Sequence, residues 1–208
     1  DSLCTELDSL SKDGVKYEYK EYKLNGQGDA SVLNQMTAQL LADKVDVIVP
    51  IATPAVQVVQ SGTEGKNVPI VFSAVSDPVS AKLVKSMEEP GGMITGTSDY
   101  LNTDAIMNLI FAANKDAKKI GLLYSKSEDS SKAPIEDAKK FLADKGVEVV
   151  EKTGTTTDEV NQAVDALIAE KVDAIFTPTD NTIQKAELSF YDKLQKAKIP
   201  HYGGADSF

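Results

Sequence analysis

The chain has 208 residues and a net charge of −10, and every one of its 22 basic residues is lysine. No basic stripe is present to displace counterions from phosphates, so nucleic-acid binding is disfavoured and no nucleic-acid partner is expected. Without arginine there is no bidentate guanidinium clamp, and any bound anion must be held by Lys, hydroxyls or backbone N–H groups. One cysteine, Cys4, excludes an internal disulfide and a Cys-based metal cluster, and it reads as a buried cysteine on a helix face. The lone His201 excludes a His-rich metal site, argues against a Ser/His triad and reads as structural. Neither a metal nor a cofactor is expected. No apolar run approaches the roughly 20 residues of a membrane span and no signal-peptide pattern opens the chain, which therefore reads as a soluble form.

In chain order, strand and helix patterns alternate almost throughout. Leu3, Leu7 and Leu10 have helical spacing within residues 1–12, and "VKYEYKEYKL" (Val15–Leu24) alternates like a strand. A helix follows over about Ala30 to Ala42, then a buried strand, "VDVIVPI". Thr53 is the expected N-cap of the next helix, with Pro54 at its first position. "VPIVFSA" predicts a strand, Asp77-Pro78 a capped helix, and "GGMITGTSD" a short strand leading out of this unit. The second unit starts with a helix from Asn102 to about Asn114 and the strand "KKIGLLYS" (Lys118–Ser125). A helix over Pro134–Asp144, the strand "VEVVEKTG", a helix over Asp158–Ala169 and the strand "VDAIFTP" come next. A helix from about Thr182 to Ala197 and the strand "PHYGG" end the series. Strands separated by helices of this length predict parallel sheets covered on both faces: an α/β fold of two doubly wound lobes.

An internal repeat supports two lobes. "ADKVDVIVPIATPAVQ" (Ala42–Gln57) aligns without a gap with "AEKVDAIFTPTDNTIQ" (Ala169–Gln184), at an offset of 127 residues. Lys44, Val45, Asp46, Ile48 and Gln57 recur as Lys171, Val172, Asp173, Ile175 and Gln184. The predicted lobes are residues 1–98 and 102–208, with a hinge crossing at 99–101. Upstream, Gly14 answers Gly146, but "KKIGLLYSKSEDSS" has no counterpart in the first unit. A first strand with its loop, and a closing segment after Phe208, are therefore expected to be missing. Such a gap leaves strand edges through which the chain could associate with a second copy.

In open parallel sheets, ligands bind beyond the carboxyl ends of the strands, where loops enter helix N-termini. The repeat pairs four such loops, "ATP" with "TDN" and "SAVSDP" with "GADSF", and "YSKSEDSS" is a fifth. The candidate ligand-binding residues are Thr53, Ser73, Ala74, Val75, Ser76, Tyr124, Ser125, Ser127, Thr179, Asp180, Asn181, Asp206 and Ser207. Taken singly, each Ser, Thr, Asp or Asn is as readily an N-cap. Thr53 becomes Asp180, and Val75 becomes Asp206, so the second lobe carries acidic groups that the first lacks. That asymmetry suits an α-amino acid: its ammonium at Asp180 or Asp206, its carboxylate at hydroxyls and helix starts near Thr53. Tyr124 or Tyr100 could line a side-chain pocket.

"IATPAVQ", "PIVFSAVSDPVSAKLV", "PGGMITGTSD", "KKIGLLYS", "VDAIFTPTDNTI" and "IPHYGGADS" together resemble the tryptophan/tyrosine-binding group of ABC-transporter substrate-binding proteins. The resemblance runs across nearly the whole chain. It implies a type I periplasmic-binding-protein fold closing on a small ligand, an aromatic amino acid, delivered to a membrane permease. It also implies an extracytoplasmic location and a lipid anchor in the precursor. The alternatives are the ligand-sensing domain of a regulator and a small-molecule hydrolase or transferase. No basic or helix-turn-helix segment supports the first. The second lacks G-x-S-x-G, G-x-G-x-x-G and P-loop patterns and any paired nucleophile and base, so no catalytic residue is assigned.

Overall fold

The computed structural model describes residues 2–11, 14 and 16–205, so Asp206 and Ser207 lie outside the described residues. It contains two separate parallel sheets. The first unit comprises α1 (Ser2–Leu10), α2 (Ala30–Ala42), α3 (Thr53–Gly62), β1 (Ile70–Val75) and β2 (Ile94–Ser98). After it come α4 (Thr103–Ala113), β3 (Lys119–Tyr124), α5 (Asp129–Asp144), β4 (Glu148–Thr153), α6 (Thr157–Ala169), β5 (Ala174–Thr177), α7 (Asn181–Ala197) and β6 (His201–Gly203). No helix among the described residues is long and apolar enough to cross a membrane.

The second sheet has the order β4-β3-β5-β6. Alternation along β3 sends Ile120 and Leu122 to the face covered by α4 and α5, and Leu123 to the face covered by α6 and α7. All three are completely buried, which is why this strand reads as an unbroken apolar run. The repeat is visible in the helices: α2 and α6 are each 13 residues long and start 127 residues apart. Each is followed by a left-handed lysine, Lys44 at φ 55° and Lys171 at φ 54°.

The first sheet is smaller. β1 pairs with β2, where Gly96 lies opposite Phe72; a Cβ on Gly96 would sit 2.1 Å from the Phe72 carbonyl oxygen, so only glycine fits there. The predicted strand "VDVIVPI" runs beside β1 but touches it only through bridges at Ile48 and Ile51. Val15–Leu24 is the clearest correction. Among its described residues there is no strand, only a short 3₁₀ turn at Lys20–Tyr22. The physical reason lies in the second lobe, where the corresponding β4 pairs with β3 alone. The first sheet has no counterpart of β3 among the described residues, so an alternating segment finds no ladder to join.

Three smaller corrections concern helices. Asp77 caps a single turn, accepting from the Ser80 N–H at 2.9 Å, and Lys82 at φ 59° ends it before a helix forms. α5 starts at Asp129, ahead of the expected Pro134, which lies inside it at the cost of one backbone bond. Cys4 is half-buried, on a helix with no buried residue.

Candidate functional site

The candidate loops lie at the carboxyl ends of the strands, and the two lobes build them differently. In the second lobe, Asp180 sits at the N-cap of α7 and is 1% exposed. Its Oδ1 accepts from the N–H groups of Thr182 (3.1 Å) and Ile183 (3.0 Å). Its Oδ2 accepts from the Ser125 N–H (2.7 Å) and the Ser131 hydroxyl (2.6 Å). Four donors fill the four lone-pair directions of a carboxylate. Asp180 thus ties the end of β3 and the starts of α5 and α7 together, and its oxygens are committed within the lobe. Burial raises its pKa above the usual carboxylate range, against the pull of those donors.

Beside it is a residue that sequence reasoning passed over, Glu128, 7% exposed. It precedes α5 but does not cap it. Its carboxylate reaches across to α7, accepting from the Thr182 hydroxyl (3.0 Å) and Asn181 Nδ2 (3.1 Å), with Ser130 at 3.3 Å. Burial raises its pKa, and the neighbouring Asp180 adds to that; the three side-chain donors oppose it. No Lys among the described residues forms an ion pair with either carboxylate. Buried carboxylates are normally paired with a cation. "YSKSEDSS" is among the candidate loops, but its polar composition gives no sign that Glu128 is buried, which the packing of Ser130 and Ser131 shows.

The first lobe presents the opposite arrangement. Ala52 precedes α3 in a backbone conformation (φ 73°, ψ 147°) that costs a non-glycine residue about 1–3 kcal/mol. It has no side-chain oxygen, so α3 begins without a side-chain cap. Thr53, expected as that cap, is the first helical residue, 2% exposed and without a side-chain hydrogen bond. Ser76 is likewise buried without a side-chain hydrogen bond, and Ala74 is exposed at φ 54°. The backbone of Ser73 is bonded to Pro50 and Ala52. One helix start is filled by its own carboxylate, and its repeat partner is open.

Other expected site residues are placed elsewhere. The Val75 side chain is fully buried in the first lobe's core. The Tyr124 hydroxyl donates to Glu151 at 2.8 Å, a carboxylate that Lys139 also holds at 2.9 Å. Burial, then this bond, raises its pKa. Ser125 is buried with its hydroxyl on Ser127 (2.8 Å), and Thr179 donates to the Gly204 carbonyl at 3.3 Å. Tyr100 is 75% exposed. His201 packs edge-on against Phe190, contacts Thr177 Oγ1 at 2.9 Å, and is pushed down to about pKa 4 by burial. The described residues contain no group of three metal-ligating side chains.

Two bonds cross between the lobes beside these loops. Gln57, one turn into α3 from Thr53, donates to Asp129 Oδ2 at 2.6 Å. Lys132 and Gln57 together hold the Asp129 pKa below its usual range. Lys185 on α7 donates to the Gln27 carbonyl at 3.2 Å.

Residues 6–208 match the family model described as ABC transporter substrate binding protein. The chain belongs to that family. As an ABC substrate-binding-family chain, it is 40% identical over 188 residues to a tyrosine-binding protein of Clostridioides difficile (strain R20291), covering 90% of this chain and 52% of that one. It therefore spans about half the length of this curated relative. A Streptococcus pneumoniae ABC domain in complex with L-Trp superposes with a TM-score of 0.86 at 37% identity, covering 96% of this chain and 66% of that one. A ligand-free, open substrate binding protein with adhesive properties from Clostridium difficile superposes at 0.61 with 33% identity, covering 98% and 68%. These relatives confirm the α/β periplasmic-binding-protein fold read from the sequence.

Proposed function

We propose that this chain binds an aromatic α-amino acid between its two lobes, outside the cytoplasm, and delivers it to the membrane permease of an ABC importer. The observation that carries this reading is the pairing of an open helix start with an uncompensated acidic group on opposite sides of the interlobe contact. The uncapped N-terminus of α3, with the Thr53 and Ser76 hydroxyls, is suited to a carboxylate where no arginine exists. Glu128 is the acidic group suited to the ammonium, because Asp180 already has four donors. Tyrosine and tryptophan in the names of the relatives support an aromatic side chain.

The lobes close about the 99–101 crossing in this proposal, and ligand contacts on both sides stabilise the closed state. Relatives of similar identity and coverage superpose at 0.86 when bound to L-Trp and at 0.61 when open, which supports a closed arrangement here. Asp206 and Ser207, which follow β6 in the sequence, are proposed as further ligand contacts. Chemistry is not part of this role, which is binding and release. A lipid anchor on the precursor would keep the protein near its permease.

Calorimetry with L-Trp, L-Tyr and their deaminated acids tests the proposal. Glu128→Gln loses the charge and exchanges one acceptor oxygen for an NH2 donor. That donor can face the Thr182 hydroxyl, a group able to rotate and accept, while the amide oxygen keeps Asn181 and Ser130. The variant should weaken amino-acid binding by about 30-fold, the equivalent of about 2 kcal/mol, and leave the deaminated acid unaffected. Equal affinity for an amino acid and its deaminated analogue in the parent would reject the ammonium site.

A further inference from the structure

The two lobes meet where α3 lies against α5, and the groups that face each other there are polar. Gln57, half-buried on α3, donates to Asp129 Oδ2 at 2.6 Å. Lys132 pairs with the other oxygen of Asp129 from within the second lobe. Lys82 of the first lobe faces the same carboxylate: after Lys132 and Gln57, its charge also holds the Asp129 pKa down. The place of Lys82 is fixed by its left-handed backbone (φ 59°) and by Gln60 Nε2, which donates to the Lys82 carbonyl at 3.2 Å. Gln57 and Gln60 are three residues apart, so one face of α3 carries the donor to Asp129 and the group that holds Lys82.

A second crossing reverses the charges. Lys185 on α7 donates to the Gln27 carbonyl at 3.2 Å, and its charge adds, behind Ser31 and Val32, to the groups that hold the Asp29 pKa down. A first-lobe lysine thus faces a second-lobe aspartate, and a second-lobe lysine faces a first-lobe aspartate.

Glu128 and Asp129 are successive residues, yet their carboxylates serve different partners. Glu128 accepts from Asn181 and Thr182 of α7, and Asp129 accepts from Gln57 of α3. Thr53 lies one turn before Gln57. The Gln57–Asp129 bond therefore joins the helix with the open start to the residue beside the uncompensated carboxylate. Neither of its members is a proposed ligand contact.

We propose that Asp129, with Gln57 and Lys82 opposite it, is a latch that sets the balance between open and closed lobes without touching the ligand. The Lys185 crossing is its second point. A latch of this kind raises apparent affinity in proportion to the fraction of chains already closed. For that effect it rests on the amino-acid role proposed above; its effect on the lobes does not.

The test measures lobe separation by electron–electron distance spectroscopy between nitroxides at Ser61→Cys on α3 and Asp137→Cys on α5, both exposed, in a Cys4→Ser background. Without ligand, the parent should populate a short separation. Gln57→Glu sets a carboxylate against Asp129; it should remove that population and weaken L-Tyr about tenfold in calorimetry. Gln57→Lys keeps a donor of similar length and should retain the short separation. Lys82→Ala, at an exposed site, should weaken L-Tyr about twofold. Asp129→Ala should open the lobes as well and serves if Gln57→Glu fails to fold. Unchanged ligand-free distances in Gln57→Glu or Asp129→Ala overturn the latch. So does opening in Gln57→Lys, which would make packing the cause, or a parent that is wholly open until L-Tyr is added. A parent that binds no aromatic amino acid while its ligand-free distances shift as expected would reject the ligand reading and leave the latch standing.

Discussion

Consider Asp180→Asn, a substitution that keeps the shape of the side chain and removes one charge. An amide has a single oxygen, and placing it toward Thr182 and Ile183 preserves two acceptor positions, though as weaker neutral bonds. The nitrogen then faces the Ser131 hydroxyl, which can rotate to accept, and the Ser125 N–H, which cannot. Ser125 is 0% exposed, so its stranded amide costs about 1–3 kcal/mol. Weakening two charge-assisted bonds adds about 1–2 kcal/mol. Relief from burying a charge without a cation opposes this by about 1 kcal/mol, in the direction in which burial raises the Asp180 pKa. The net loss is on the order of 3 kcal/mol, roughly 6–12 °C in Tm for a chain of this size. Thermal melts of the variant, with Ser131→Ala as a milder comparison at about 1 kcal/mol, measure it. A variant melting within about 2 °C of the parent would refute the view of Asp180 as the tie between β3, α5 and α7. Ligand affinity of this variant is interpretable only at temperatures where it remains folded.

The repeat provides its own control for strand pinning: Asp173 accepts from the N–H groups of Lys118 (2.7 Å) and Lys119 (2.9 Å), whereas its counterpart Asp46 is exposed. Asp173→Ala should cost about 2 kcal/mol in urea unfolding, and Asp46→Ala less than about 0.5. Equal effects would show that Asp173's two backbone bonds contribute nothing. Gln57→Ala removes the cross-lobe bond to Asp129 and should weaken ligand binding about fivefold in calorimetry without shifting Tm by more than about 2 °C; unchanged affinity would exclude it from closure. His201 gains its proton near pH 4 in the fold and near 6.5 when unfolded. The unfolded chain therefore binds more protons across that window, and stability is lost as pH falls from 6.5 to 4, by on the order of 3 kcal/mol. His201→Gln should flatten that part of the pH–stability curve, and an unchanged slope would point to other groups.

Helix positions and the second lobe's strands are legible because amphipathic spacing and long apolar runs are local signals. α2, α6 and β3 follow their patterns closely. Val15–Leu24 departs from its pattern because a strand is a relation between two segments: alternation records a preference that pairing must satisfy. Asp77 is a cap, as its sequence context indicates, yet Ala81, Leu83 and Val84 bury themselves around Lys82 in a non-helical turn, a tertiary choice that the Asp-Pro signal does not contain. At the site, the repeat points to the loops at the strand ends and to the asymmetry between Thr53 and Asp180. It does not reveal that Asp180 is saturated or that Glu128 is buried. Saturation depends on Ser125 and Ser131, 55 and 49 residues away, and single-sequence spacing cannot supply such distances.

The central place of β3 also decides how the two halves come apart. Unzipping the second sheet anywhere near its middle breaks the ladders to β4 and β5 together, so that lobe should open as one unit with a high barrier. Among the described residues the first sheet has no such keystone. α1 carries no buried residue and is tied to the neighbouring segment by the Tyr19 hydroxyl, on Asp8 (2.8 Å) and the Cys4 carbonyl (3.3 Å). A protease should cut within α1 before it reaches β1, β2 or the second lobe, which should persist as a resistant fragment.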